Sequence, residues 1–211
     1  MGYALDWVSV SGLTKDQVLS RLGLIDSGEA TDYLSRGGFM WAMTPDGRVI
    51  VATEQYGWLT PERLSQLSEG ASLVAARAED NDCTSAAWGY SGGQQVWSVT
   101  HDNPEEYGVI GGLELDGDVP AALATIRAQL EAEQSASDDD RVDYIFDVPN
   151  ELAATLGGWA PESVIGGDLQ FFKVINPHLP GDRAPLGGTN KIWIGLLILL
   201  LAVGAYRIWT G

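Results

Sequence analysis

Apolar and polar positions alternate with a period of two from Tyr3 to Val10, where Tyr3, Leu5, Trp7 and Ser9 oppose Ala4, Asp6, Val8 and Val10. That period predicts a strand with at least one buried face. The spacing then lengthens. Val18, Leu19 and Leu22 form an apolar stripe behind Thr14, with Gln17 at the capping-box position and Gly23 beyond the last turn, so a short helix is expected. Asp26 to Gly38 holds no period and reads as a loop. Phe39 to Met43 and Val49 to Thr53 flank Thr44-Pro45-Asp46-Gly47-Arg48, whose turn residues predict a hairpin. Thr60 is the expected cap of a second helix, with Pro61 at its first position, Leu64 and Leu67 as its stripe and Gly70 closing it. Leu73 to Ala78 returns to a strand.

Two strand-like runs between Cys83 and His101 surround Ser91-Gly92-Gly93 and predict a second hairpin. With a three-residue loop, Tyr90 pairs with Gln94, Trp88 with Val96, Ala87 with Trp97 and Cys83 with His101. Cys83, Ser85, Ala87, Trp97, Val99 and His101 then share one face. Asp102 to Gly117 is turn-rich. Val119 to Glu133 is the best helix of the first 175 residues, with Ala122, Leu123, Ile126 and Leu130 at helical spacing, Asp118 as its expected cap and Pro120 early. After a polar break from Ser135 to Asp140, Asp143 to Asp147 reads as a short strand, Pro149 to Leu156 as a helix ended by Gly157-Gly158, and Leu169 to Ile175 as a final strand. Strands interleaved with helices and joined by hairpins imply an α+β fold: a mainly antiparallel sheet with several short helices over residues 1–175.

Beyond that domain the pattern stops. Asn176 to Thr189 holds three prolines and three glycines, so residues 176–190 read as a linker, with a random-coil reach of about 20 Å. Residues 191–211 differ again. Ile192 to Tyr206 carries no charge, and a helix from Ile192 to Trp209 spans about 27 Å, close to the ~30 Å hydrocarbon core of a bilayer. Trp193 near one end and Tyr206 and Trp209 at the other suit the lipid–water interfaces, with Leu197 and Leu200 in the apolar middle. The competing assignment is a buried core helix, since fifteen uncharged residues fall slightly short of a full span. One C-terminal transmembrane helix, with the lipid bilayer as its partner, is the expectation. Met1 to Gly12 shows no early positive charge and no long apolar core, so no secretory signal is expected. Arg183 and Lys191 precede the span and Arg207 follows it, which favours a single-pass, tail-anchored arrangement with the domain on the cytoplasmic side.

Charge changes this picture further. The 211 residues carry a formal net charge of −17, and Lys191 and Arg207 contribute +2, leaving −19 on residues 1–190. Such an excess repels nucleic acid and anionic lipid, so no nucleic-acid partner is expected. A basic protein partner is compatible with it, and so is a solvated acidic face that only maintains solubility. The acidic residues expected to meet a partner are Glu131, Glu133, Asp138, Asp139 and Asp140. The pattern specifies no oligomeric state.

Reaction chemistry has few candidates. One cysteine and two histidines give no zinc spacing, and Asp138-Asp139-Asp140 with Asp143 lacks the calcium-loop pattern, so no metal is expected. Gly92-Gly93 and Gly111-Gly112 fit neither phosphate-loop pattern, so no nucleotide cofactor is expected. Cys83 and His101, if they are cross-strand neighbours, are a candidate thiol–imidazole pair for nucleophilic catalysis, set against a small buried thiol beside a buried histidine. Trp41, Trp58, Trp88, Trp97 and Trp159 build either a core or a recognition surface, and the core is the simpler assignment.

Tyr144-Ile145-Phe146-Asp147-Val148-Pro149-Asn150-Glu151-Leu152-Ala153, together with the strand–helix opening, resembles a segment of a group of uncharacterised acidic bacterial proteins. The resemblance covers a few residues and implies no activity. Three functions compete on these observations. The first is a tail-anchored, non-catalytic acidic interaction protein; the second is an immunity or inhibitor protein that binds a basic toxin or enzyme. The third is a membrane-tethered Cys/His hydrolase.

Overall fold

The middle of the sheet is β1 (Ala4–Ser11), and its alternation buries both faces rather than one. Leu5, Trp7 and Ser9 face one helical layer, while Asp6, Val8 and Val10 face the other. The computed structural model describes residues 4–32, 34, 37–80, 82–102, 112–138, 142–161 and 169–178. Within them nine strands form one sheet in the order β2-β9-β3-β4-β1-β5-β6-β7-β8, every neighbouring pair antiparallel. Beside β1 these are β2 (Ile25–Thr31), β3 (Phe39–Met43), β4 (Val49–Thr53), β5 (Ser72–Glu79), β6 (Thr84–Ser91), β7 (Gln94–Asp102), β8 (Gly112–Gly117) and β9 (Phe171–Ile175). The expected α+β class with a mainly antiparallel sheet and short helices holds.

Two helices cover one face. In α1 (Lys15–Leu22) Thr14 and Gln17 form the expected capping box, and Gly23 closes the helix at φ 70°. In α2 (Pro61–Leu67) the Thr60 hydroxyl accepts the Arg63 N–H, and the helix ends at Ser68, short of Gly70. Both pack Val18, Leu19, Leu22, Leu64 and Leu67 against Val8, Val10, Val49 and Val51. The opposite face carries α3 (Ala122–Ala136) and α4 (Val148–Gly157), joined by a 3-10 turn at Tyr144–Asp147. There Trp7 meets Trp159 edge-to-face at 5.1 Å, and Leu123, Leu130, Leu152 and Phe171 complete the layer.

Several expectations are corrected. Ile25–Thr31 is an edge strand rather than loop: it pairs with β9 around a bulge between Asp26 and Ala30, where Gly28 adopts φ 72°. Its lack of period follows from exposure, since an edge with two extra residues looped out has no apolar face to alternate. Gly112–Gly117 is likewise a strand, not turn. Asp118 does not cap α3, because its N–H is held by the Val96 carbonyl of β7 and the helix begins only after Pro120. Asp143–Asp147 is not a strand: no sheet edge receives it, the Asp143 carboxylate accepts the Ile145 N–H, and the turn runs into α4 through Val148-Pro149.

The β6–β7 hairpin differs in register. Its loop has two residues, Gly92 and Gly93, both at positive φ, so Ser91 pairs with Gln94. A bulge between Gly89 and Tyr90 then displaces the ladder once more, so Tyr90 faces Gln95, Trp88 faces Ser98, Ala87 faces Val99 and His101 faces Ser85. Two displacements of one residue each preserve side-chain parity. Ser85, Ala87, Trp97, Val99 and His101 therefore still share a face, and Cys83 lies outside the strand. Gly89 is required here: a Cβ would lie 2.0 Å from the Trp97 indole nitrogen.

Asp6 has no exposed surface. Arg77, its cross-strand neighbour on β5, donates to it twice, at 2.7 and 2.9 Å, and the Leu59 N–H donates at 2.7 Å. Arg77 also donates to the Leu59 carbonyl and lies 5.0 Å from the Tyr56 ring centre and 5.5 Å from that of Trp88. Burial pulls the guanidinium toward losing its proton, but the hydrogen bond and charge of Asp6 outweigh it, and the pKa rises above its usual value.

Replacing Asp6 by Ala leaves that cation without its partner. Loss of one member of a buried pair costs about 3–5 kcal/mol, and the lower end applies because the Arg77 side chain keeps 20% exposure. Asp6→Leu combined with Arg77→Met is expected to regain most of that loss in urea unfolding. A double variant no more stable than Asp6→Ala would contradict the pairing argument.

Candidate functional site

His101 emerges from β7 on the α4 side of the sheet with 1% exposure. Its Nδ1 lies 3.0 Å from the Cys83 carbonyl oxygen and its Nε2 3.0 Å from Asp143 Oδ2. A carbonyl only accepts, so Nδ1 carries a hydrogen. Phe146 stands edge-on to the ring at 5.9 Å. Ser85, opposite His101, donates its hydroxyl to the Phe146 carbonyl at 2.5 Å. Serine, histidine and aspartate thus come together, yet without a nucleophile–base pair. The Ser85 proton is directed at a backbone oxygen, and both imidazole nitrogens are engaged elsewhere. What the arrangement does is mechanical: it fastens the 3-10 turn to the ends of β6 and β7.

The candidate pair from sequence meets in a different way from the one expected. Cys83 approaches His101 through its backbone carbonyl. Its thiol is exposed and donates to the Asp80 carbonyl at 3.6 Å, and its backbone takes φ 47° in the tight turn before β6. Among the described residues no group of three or more His, Cys, Asp or Glu is placed to hold a metal ion.

Of the acidic candidates, Glu131 lies at the corner where α3 approaches the start of β8, with Glu133 farther along α3 and Asp138 just beyond its end. Glu131, Glu133 and Asp138 are exposed, while Asp139 and Asp140 fall outside the described residues. Glu131 accepts from Arg127 one turn earlier at 2.7 Å, and Glu133 accepts from Gln129 at 3.0 Å. Gln134 pins the corner by accepting the Tyr144 N–H and donating to the Val142 carbonyl. Between α3 and the start of β8 runs a cleft of about 420 Å³, lined by Leu113, Ile145, Arg127, Glu131 and Gln134 among others. On the sheet face away from α3, β8 exposes Glu114 and Asp116, with Asp118 just beyond the strand. Those three acids were not among the sequence candidates. The signal was present in the alternation Leu113-Glu114-Leu115-Asp116 but was obscured by the glycines on either side.

The tryptophans divide. Trp41, Trp97 and Trp159 are buried in the two layers. Trp58 and Trp88 are half-buried beneath arginines, Arg63 over Trp58 at 4.5 Å and Arg77 over Trp88. Burial lowers the pKa of Arg63, opposed by the charge of Asp6. Trp193, Leu197, Leu200, Tyr206 and Trp209 lie outside the described residues, as does the linker beyond His178. No helix among the described residues is long and apolar enough to cross a membrane.

These placements separate Cys83 from His101 experimentally. Cys83→Ala is expected to shift unfolding stability by less than about 0.5 kcal/mol, as for an exposed side chain. His101→Ala removes one partner each from Asp143 and the Cys83 carbonyl and is expected to cost about 1–3 kcal/mol. The native thiol should react with an aromatic disulfide reagent without prior unfolding. A thiol protected until denaturation would place Cys83 in the interior instead.

Comparison with protein-family models, with curated proteins and with solved structures finds no match for this chain, so its function is argued from the geometry alone.

Proposed function

We propose that this chain is a membrane-tethered, non-catalytic docking protein whose acidic domain receives a basic protein partner on the cytoplasmic side. The observation that carries the reading is the α3–β8 corner. Glu131, Glu133 and Asp138 are exposed on and just beyond α3, Glu114, Asp116 and Asp118 on and just beyond β8, and Arg127, the one basic residue between 112 and 138, is taken up by Glu131. Six carboxylates against one neutralised cation create a local field that accelerates the approach of a positive surface and repels phosphate-bearing molecules. The closed bonding of His101 and Ser85 supports a binding role over a hydrolytic one.

The tether is Ile192–Trp209, matched in length and in flanking aromatic and basic residues to a bilayer. The Pro/Gly-rich sequence before it, read as a linker, would let the domain face a partner at the membrane surface without lying on it. The negative cytoplasmic leaflet would itself repel a domain carrying −19.

Ending the chain at residue 189 should release the protein from membranes, whereas the full chain should pellet after a high-salt wash. Pelleting of the shortened chain under that wash would sink the tether. Cross-linking in membranes then tests the docking surface: Glu131→Lys with Glu133→Lys and Asp138→Lys should slow capture of the partner about tenfold at low ionic strength and little at high. A captured partner whose contact face is acidic, or whose capture is unchanged by the reversal at low salt, would overturn the reading.

A further inference from the structure

We propose that β8 is the contact element, and that an extended basic segment of the partner adds to its free edge as the next strand of the sheet. This rests on the docking reading above and specifies how the partner is held. Gly112–Gly117 pairs with β7 from end to end, and among the described residues no strand lies on its other side. The outward backbone N–H and C=O groups of such an edge are a template for an incoming chain.

Side-chain alternation states what that chain must look like. Glu114 and Asp116 stand opposite Thr100 and Ser98, on the sheet face away from α3. Leu113 and Leu115 stand opposite His101 and Val99, on the face toward α3. Leu113 packs on the core, Leu115 is 49% exposed, and the cleft beside α3 opens at Leu113. An added strand therefore meets carboxylates with every second residue and leucine with the residues between. A segment alternating Lys or Arg with Val, Ile or Leu satisfies both faces, each favourable cross-strand pair contributing to register as well as affinity.

The same alternation disfavours a second copy of this chain. Antiparallel pairing of two β8 edges sets either carboxylate against carboxylate or carboxylate against leucine, and both are unfavourable. The opposite edge of the sheet offers no comparable template. β2 is bulged between Asp26 and Ala30, and its Asp26 and Glu29 are occupied by Lys15 and Lys173.

The experiment uses the full chain in mild detergent and fluorescent peptides alternating Lys and Val. One peptide is unmodified and one is scrambled; two more are N-methylated on one or the other set of alternate amides. The expected result is binding of the unmodified peptide, slowed amide exchange over residues 112–117, and retention of binding by just one of the two N-methylated forms. Glu114→Lys with Asp116→Lys should weaken binding about tenfold at low salt. Equal binding of the scrambled and both N-methylated peptides overturns strand addition while leaving salt-dependent acidic docking in place. No binding by any peptide also overturns strand addition, whereas the docking reading itself stands or falls on the cross-linking of the charge-reversed α3 variant.

Discussion

A carboxylate without solvent sits on the central strand, and much of the molecule is arranged to keep it bonded. Removing Asp6 from water carries a penalty of several kcal/mol, which only close, well-directed partners offset. Arg77 supplies two of them from β5, and the Leu59 N–H supplies a third from the entrance to α2. Arg77 in turn lies against Tyr56 and Trp88, reaching the loop before α2 and strand β6. One ion pair thereby fixes the register of β1 against β5, the entry angle of a helix and the packing of two aromatic rings. An apolar pair would fill the volume without specifying any of these three relations.

The opposite face has its own polar device. His101, Asp143 and Ser85 spend their hydrogen-bonding capacity on backbone and on one another, at the interior end of the β6–β7 hairpin. Asp6 and His101, at the centre of each network, have almost no exposed surface. On α3 and β8, by contrast, exposed carboxylates stand on regular elements. A helix and a strand hold them at fixed spacing, so the surface presents a pattern rather than a diffuse charge.

Much of the architecture was legible in the residues. The capping box of Thr14 and Gln17, the Thr60-Pro61 start and the Thr44–Arg48 turn are local features, decided within a few residues of chain. What failed was decided at a distance. Edge strand β2 has no apolar face of its own, β8 has only Leu113 and Leu115 between glycines, and both exist because β9 and β7 offer them hydrogen bonds. Asp143–Asp147 has the composition of a strand but no edge to join. Cys83 and His101 were paired by a count through a hairpin loop, and a single bulge at Gly89 is invisible to such a count. The acidic corner was half legible, since helical spacing exposed Glu131 and Glu133 while β8 was hidden among glycines.

The position of β9 carries a consequence for how the chain acquires its shape. Ile25 and Ala30 find their partners in Ile175 and Phe172, and β9 also completes the free side of β3. The strand formed from nearly the last described residues is inserted between two strands made near the beginning. During synthesis β2 and β3 must therefore wait with open edges until almost the whole domain has left the ribosome, and contacts of such sequence separation are slow to close. With Ile192–Trp209 as the proposed tether, the sheet would be finished within a linker's length of it, and folding and delivery to the bilayer would compete for the same stretch of time.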